Sequence, residues 1–459
     1  MSTAIQKFRA WLVSPTDGQV IGLFRLIFGL FMVYYTAYLN RIGFISDGLL
    51  KPKVLFKYDY LEWVHPFSGP VMNGLLLLMG FAALGIALGV LFRWSCWIFS
   101  LCLAFFIFQE KSYYNNHIYL FMLLPLLLSA TDADRYLSVR SKSRPFEFVP
   151  RWQQFILQAQ IVAVYFFAGV VKLKGDWLLR QEPMNSLIHQ MPADHFMAPL
   201  IKHDFNIGLF TYGGFLLDIL APFLLWYKPV RNWAWIPFVL FHLTNSQVFD
   251  DISIFPFVML GAMLLFFDTS EIPLLKDYAV RSGASSTEKG GKAKKAEMKP
   301  VAHMSATSQA ATILLLGYFA FQVLFPFRGF FLPNPLDYTT IGNRFAWRVK
   351  NDIRNPDEMA FTIINPATQQ SLNVDIPTFL NPSQIRTLAL DPRAVRDFAL
   401  ALKEEAVRQG IPNAVVKARI RFGYNGRPPQ FFVNPDADLT TVPYSPFERL
   451  NWVVPITDE

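Results

Sequence analysis

Residues 20–39 read VIGLFRLIFGLFMVYYTAYL, twenty residues with a single charge, Arg25. A helix needs about 20 mostly apolar residues to cross a bilayer core, so this stretch is expected to be a membrane span. Eight further apolar runs flank it downstream: 70–92, 94–109, 117–130, 155–172, 207–227, 232–244, 252–267 and 306–327. The third and fourth of the nine are separated by the polar EKSYYNN, the seventh and eighth by TNSQVFDD. The expectation is a polytopic α-helical membrane protein of about nine spans.

Composition agrees. Of 459 residues, 53% are apolar and 17% charged, against roughly 25% charged in a soluble domain. Forty-five Phe and eleven Trp fit aromatic belts at two interfaces. The two cysteines, Cys96 and Cys102, share one apolar run, which favours neither a disulfide framework nor a zinc site. The net charge of +8 is concentrated in loops and reads as a topology signal, so no nucleic-acid partner is expected. Residues 1–20 lack an apolar core and a small-residue cleavage site, and read as no signal peptide. The stretch IQKFRAWLV is amphipathic and suits the interface.

With nine spans the termini lie on opposite sides. One set of alternate loops holds seventeen Lys and Arg, including Arg93, Lys228, Arg231 and seven from Lys276 to Lys299, and the other set before the last span holds nine. The bias orients the N-terminus and a basic linker, SGASSTEKGGKAKKAEMKP, toward the cytoplasm. After residue 327 the composition changes. Segments such as MAFTII, VVKARIRFGY and FFVNP read as strands, and 393–409 as an amphipathic helix ended by Gly410. The expected organisation is a transmembrane domain (1–327) and a mostly β extracytoplasmic domain (328–459).

Ionisable groups at membrane depth are costly and mark function by default. They are Arg25, Lys111, His117, Lys172, Asp218 and His242. In the expected topology the turn 111–117, Lys172 and His242 reach one depth near the outer surface, a pattern that suits a lipid-soluble ligand. Plainer readings stand beside this one. Lys172 can snorkel with Lys174; His117 and His242 can be interhelical hydrogen-bonders; Arg25 and Asp218 can form a structural ion pair. Lys111 beside Glu110 reads as a solvated boundary pair. Gly213 and Gly214 read as close helix packing, and His189, His195 and His203 as surface groups without zinc spacing.

EKSYYNNHIYLF, YFFAGVVKLKGDWL and FHLTNSQVF occur in that order, with FRLIFGLFMV and LGIALGVLFRWSCW before them, GGFLLDILAPFLL between the second and third, and YSPFERLNWVVP near the end. The ordered set resembles the vitamin K-dependent gamma-carboxylase family over most of the chain. The resemblance implies oxidation of reduced vitamin K, a phylloquinol or menaquinol type hydroquinone, to its epoxide with O2. It also implies carboxylation of a glutamate-containing protein or peptide with CO2, without a metal. It places the family's catalytic base on Lys172 of AGVVKL, and quinol contacts on Asn115, Asn116 and His117. The FH-x-x-NSQ segment falls on His242, Asn245, Ser246 and Gln247. Tyr165, in the run AVYFFAGVV before the base, joins the expected quinol-binding set. Burial of Lys172 among apolar groups would disfavour its ammonium form, and His117, Asn116 or His242 could bond the quinol oxygens.

The departures are Val171 for the first lysine of the animal pair, Tyr114 for a tryptophan, WRVKN without the animal histidine, and no cysteine to tie the two domains. Propeptide docking is therefore not implied. The compact length and basic loop fit a bacterial inner-membrane homologue among membrane lipids. A quinol epoxidase or oxidase without glutamyl carboxylation, and a non-enzymatic lipid-binding protein, are the alternatives.

Overall fold

A computed structural model describes residues 3–141, 148–249, 252–275 and 306–457. An amphipathic helix α1 (Thr3–Val13) leads into α2 (Gln19–Arg41), α3 (Gly69–Leu88), α4 (Phe92–Gln109), α5 (Asn116–Ser129) and α6 (Trp152–Val170). Three short helices follow, α7 (Gly175–Leu178), α8 (Met184–Gln190) and α9 (Ala198–Ile201). The bundle is completed by α10 (Asp204–Trp226), α11 (Lys228–Val248), α12 (Phe255–Met263) and α13 (Ala306–Leu324). All nine apolar runs thus coincide with helices. Among the described residues six segments are long and apolar enough to cross a membrane: α2, α3, α4, α6, α10 and Leu314–Phe331. Asn116–Ser129 and Phe255–Phe266 are apolar but shorter, and α11 is diluted by Lys228, Arg231 and the polar 244–247 segment.

The helix ends gather at two faces. At one, β1 (Pro15–Thr16) pairs with β2 (Val149–Pro150), Gln154 and Gln158 donate to the Leu265 carbonyl, and Arg231 meets Glu271. Arg25 belongs here. Its guanidinium donates to the carbonyls of Ile86, Ala87, Ala133, Tyr136 and Leu137. It satisfies chain ends that would otherwise leave carbonyls bare in an apolar core, and so is not the partner of Asp218. Both cysteines are buried free thiols.

The other face carries the C-terminal region. Its sheet runs in the order β4-β3-β5-β6, all antiparallel, with β3 Arg354–Ile364, β4 Ser371–Asn373, β5 Val415–Tyr424 and β6 Gln430–Phe431. The strands expected at MAFTII and VVKARIRFGY form the central pair, while FFVNP gives only β6 and an isolated bridge at Val433. Helix α14 (Pro382–Leu388) and the seventeen-residue α15 (Pro392–Arg408) match the strands in extent. The region is therefore an α+β layer rather than mostly β. Ala394, Val395, Phe398, Ala399, Leu402 and Ala406 recur at helical spacing and pack on Phe361, Val416, Ile420 and Phe422. Asp391 caps α15, accepting from the amides of Arg393 and Ala394, with Pro392 at the first helical position.

Candidate active site

The α6–α10 crossing builds the centre of the site. A Cβ on Gly169 would lie 2.8 Å from the Ile219 amide nitrogen, so only glycine allows this approach. Gly213 has open space around it, and a Cβ on Gly214 would meet only the Phe241 ring edge. The close contact expected of that pair belongs to Gly169 instead. Three residues past Gly169, Lys172 reaches the carboxylate of Asp218 on α10, and both side chains are buried. Its ammonium nitrogen also lies 4.9 Å from the Trp177 ring centroid. The snorkelling reading of Lys172 is thereby excluded; it is Lys174 that turns to the C-terminal region, donating to the Asn351 carbonyl at 2.6 Å.

Lys172 and Asp218 line a mainly apolar cavity of about 80 Å³ with Tyr165, His242, Asn245 and Phe255. Tyr165 Oη and His242 Nε2 are 2.5 Å apart. The other imidazole nitrogen, Nδ1, is buried and has no partner among the described residues. When the phenol donates to Nε2, Nδ1 carries the proton and can donate to a ligand oxygen. Ser246 turns back to the Leu243 carbonyl and Gln247 is exposed, so of the NSQ triplet only Asn245 reaches the cavity.

A second, more polar cavity of about 260 Å³ adjoins the first, lined by Lys111, Asn115, Asn116, His117 and Arg348. The two share Val164, Phe255, Val349 and Lys350 as walls. Phe255 stands between the histidines, its ring centroid 5.8 Å from that of His117 and 6.4 Å from that of His242. The six expected site residues thus gather in two adjoining chambers. Asn116 is also a latch: its amide donates to the Arg348 carbonyl at 2.8 Å and it accepts from Tyr114 Oη at 3.0 Å.

Lys111 corrects a sequence expectation. It is 3% exposed and Glu110 is fully buried, so neither is a solvated boundary group. Glu110 accepts from the Phe56 amide, the Ser112 amide and hydroxyl, and Gln384. Lys111 lies 3.0 Å from Asp391, which also meets Arg344 at 3.0 Å. Burial works to raise the Asp391 carboxyl, but the two cations outweigh it and hold it at about 2. His189 and His203 are exposed and His195 half-buried. Among the described residues no group of three His, Cys, Asp or Glu could hold a metal.

Sequence reasoning mispairs one contributor and misses a segment. Asp218 was paired with the wrong cation, although Gly169 marks where α10 must pass. Val349 and Lys350 come from the far end of the chain, in a segment where Phe345, Trp347 and Lys350 adopt φ of +60°, +53° and +50°. Such backbone is costly for non-glycine residues and collects at functional sites. It is held by Trp347, fully buried and stacked 4.7 Å from Tyr119, and by Arg348 against Asp337.

A helical bundle whose buried lysine lies beneath an α+β cap, beside an adjoining polar cavity, defines a multi-pass membrane protein. A family model described as HTTM domain matches residues 13–270, and one described as vitamin K-dependent gamma-carboxylase, lumenal domain, matches residues 307–459. The chain belongs to the vitamin K-dependent gamma-carboxylase family. No solved structure matches it.

Proposed function

We propose that this protein is a membrane-bound, hydroquinone-dependent gamma-glutamyl carboxylase and epoxidase with Lys172 as its base. The observation that carries the reading is the burial of Lys172 in a chamber adjoining that of Asn115, Asn116 and His117. The cavity fits a quinol head group chemically: apolar walls for the ring, and the orphan His242 Nδ1 for an oxygen. Reduced vitamin K, when bound, supplies with O2 the strong base that removes a glutamate γ-proton ahead of CO2 addition. Lys172 Nζ takes the hydroxyl proton that starts the sequence. Tyr165 fixes the His242 ring, and Phe255 with Val164 keeps water from the amine. The test is purified protein with reduced vitamin K, labelled bicarbonate and a glutamate peptide, scoring epoxide and fixed carbon separately. Both products are expected. Epoxide alone would mean a quinol epoxidase of the same fold, and neither would overturn the reading.

His117→Ala and His242→Ala are expected to raise the apparent KM for quinol about tenfold, since a ligand oxygen left without its partner costs roughly 1–3 kcal/mol. Steady-state epoxidation against quinol concentration checks this, and unchanged KM in both variants would remove the assignment.

We also propose nine crossings, dividing the chain into a membrane part (1–327) and a cap (328–459) outside the cytoplasm of a bacterial inner membrane. The two faces of helix ends support the odd number, and the Lys/Arg bias sets the direction. Cysteines placed at the exposed Val139 and Asn434 should label from opposite sides of sealed vesicles, Asn434 from outside. Labelling from one side would exclude the five crossings proposed between these two positions.

A further inference from the structure

We propose that Asp218 is the positioning residue that sets the basicity of Lys172, an inference that rests on reading Lys172 as the base. The structure gives the Lys172 ammonium one ion pair, to Asp218. The other charged or titratable groups lining the chamber are Tyr165 on α6, His242 on α11 and Lys350 from the cap. The faces of α8, α9 and α12 that line it contribute Met184, Ile188, Ile201, Phe255 and Met259, none of which titrates. The Tyr165 hydroxyl is engaged with His242, and the Lys350 ammonium sits 4.7 Å from the Phe249 ring centroid. Asp218 is therefore the only carboxylate facing the amine among the described residues lining the chamber.

Two consequences follow from that placement. An anion in contact stabilises the positive charge that proton uptake creates, so the carboxylate of Asp218 favours proton transfer to Nζ. The contact also fixes where the amine sits, because the backbone approach at Gly169 holds α10 against α6. In the proton transfer the quinol O–H bond breaks and an N–H bond forms at Nζ. The ammonium produced then has Asp218 as its counter-ion, and the negative charge stays on the quinol oxygen. A stronger acceptor drives this transfer further, by ordinary Brønsted behaviour.

The experiment is the pH profile of epoxide formation by the full chain in detergent, for wild type, Asp218→Asn, Asp218→Glu and Lys172→Ala. Asp218→Asn keeps a hydrogen-bond acceptor but removes the charge. Its acid limb is expected to move down by about one pH unit, while its plateau rate falls by about three- to tenfold. Asp218→Glu keeps a carboxylate within reach and should hold the wild-type limb at a reduced rate. A purely structural role would lower stability and leave the limb in place. An acid limb for Asp218→Asn that superimposes on wild type overturns the proposal, as does a downward shift in Asp218→Glu. Activity retained by Lys172→Ala would instead sink the reading of Lys172 as base.

Discussion

Lys172→Ala is expected to abolish epoxidation at neutral pH while the folded fraction still binds quinol, although stability falls because Asp218 loses its buried partner. The amine is buried at the cap-side end of α6, over the Trp177 ring, in a chamber also lined by Ala168 and Phe249. Few neighbours are positioned to replace it: Lys350 is turned over Phe249, and Lys111 is held by Asp391 in the adjoining chamber. A general base contributes about 10²–10⁴-fold to a rate, and here it starts the sequence, so the loss should reach the detection limit. Lys172→Arg should be equally inactive, because a guanidinium stays protonated. Small amines should restore part of the Ala variant's rate in proportion to their free-base concentration. The measurement is epoxide formed per enzyme at saturating quinol, with bound quinol determined separately. Wild-type turnover in the Ala variant would end the assignment.

Lys111→Ala should act on stability. The side chains of Lys111 and Asp391 are 3% and 5% exposed, and removing one partner of a buried ion pair costs about 3–5 kcal/mol. Arg344 and the α15 amides remain on Asp391, so the lower end of that range is expected. The cap should loosen, read as a lower thermal midpoint and earlier proteolytic cleavage after the last membrane helix. Asp391→Ala should be at least as damaging, since α15 loses its cap as well. The double variant should fall short of the sum of the singles. The same pair gives a pH signature. A carboxyl held at about 2 when folded and near 3.9 when unfolded stabilises the fold above about pH 4. That contribution, about 2 kcal/mol, is lost as pH falls toward 2. A Lys111→Ala protein with a wild-type midpoint would show that the pair does not hold the cap.

Much of this architecture is legible in the chain because hydrophobic run length is a one-dimensional signal. Nine runs became nine helices, and α15 fell within a residue or so of its expected bounds. The central strands were readable because β-branched and aromatic residues are dense in VVKARIRFGY and MAFTII. The placement of the candidate residues was legible: Lys172, His242 and the 115–117 turn lie toward the cap-side ends of their helices, and the alternation of helix direction brings them to one face. Partner identity was not legible. Asp218 reads in the sequence as a partner of Arg25, and only the α6–α10 approach at Gly169 places it on Lys172. Lys111 read as a boundary charge because its counter-ion lies 280 positions downstream in the sequence, at Asp391. The share of helix in the cap was underestimated because short helices such as α14 carry little periodicity.

The strained segment around Trp347 has a consequence for biosynthesis. Val349 and Lys350 supply a wall common to both chambers, yet they are made only after every membrane helix has been synthesised. A ribosome that has finished the bundle has therefore produced an open basin, with the lysine in place and no roof over it. A reaction that generates a strong base is safest when it cannot begin in an unfinished chain. Under the proposed reaction the order of synthesis would provide that safeguard, because the last quarter of the polypeptide completes the wall of both chambers.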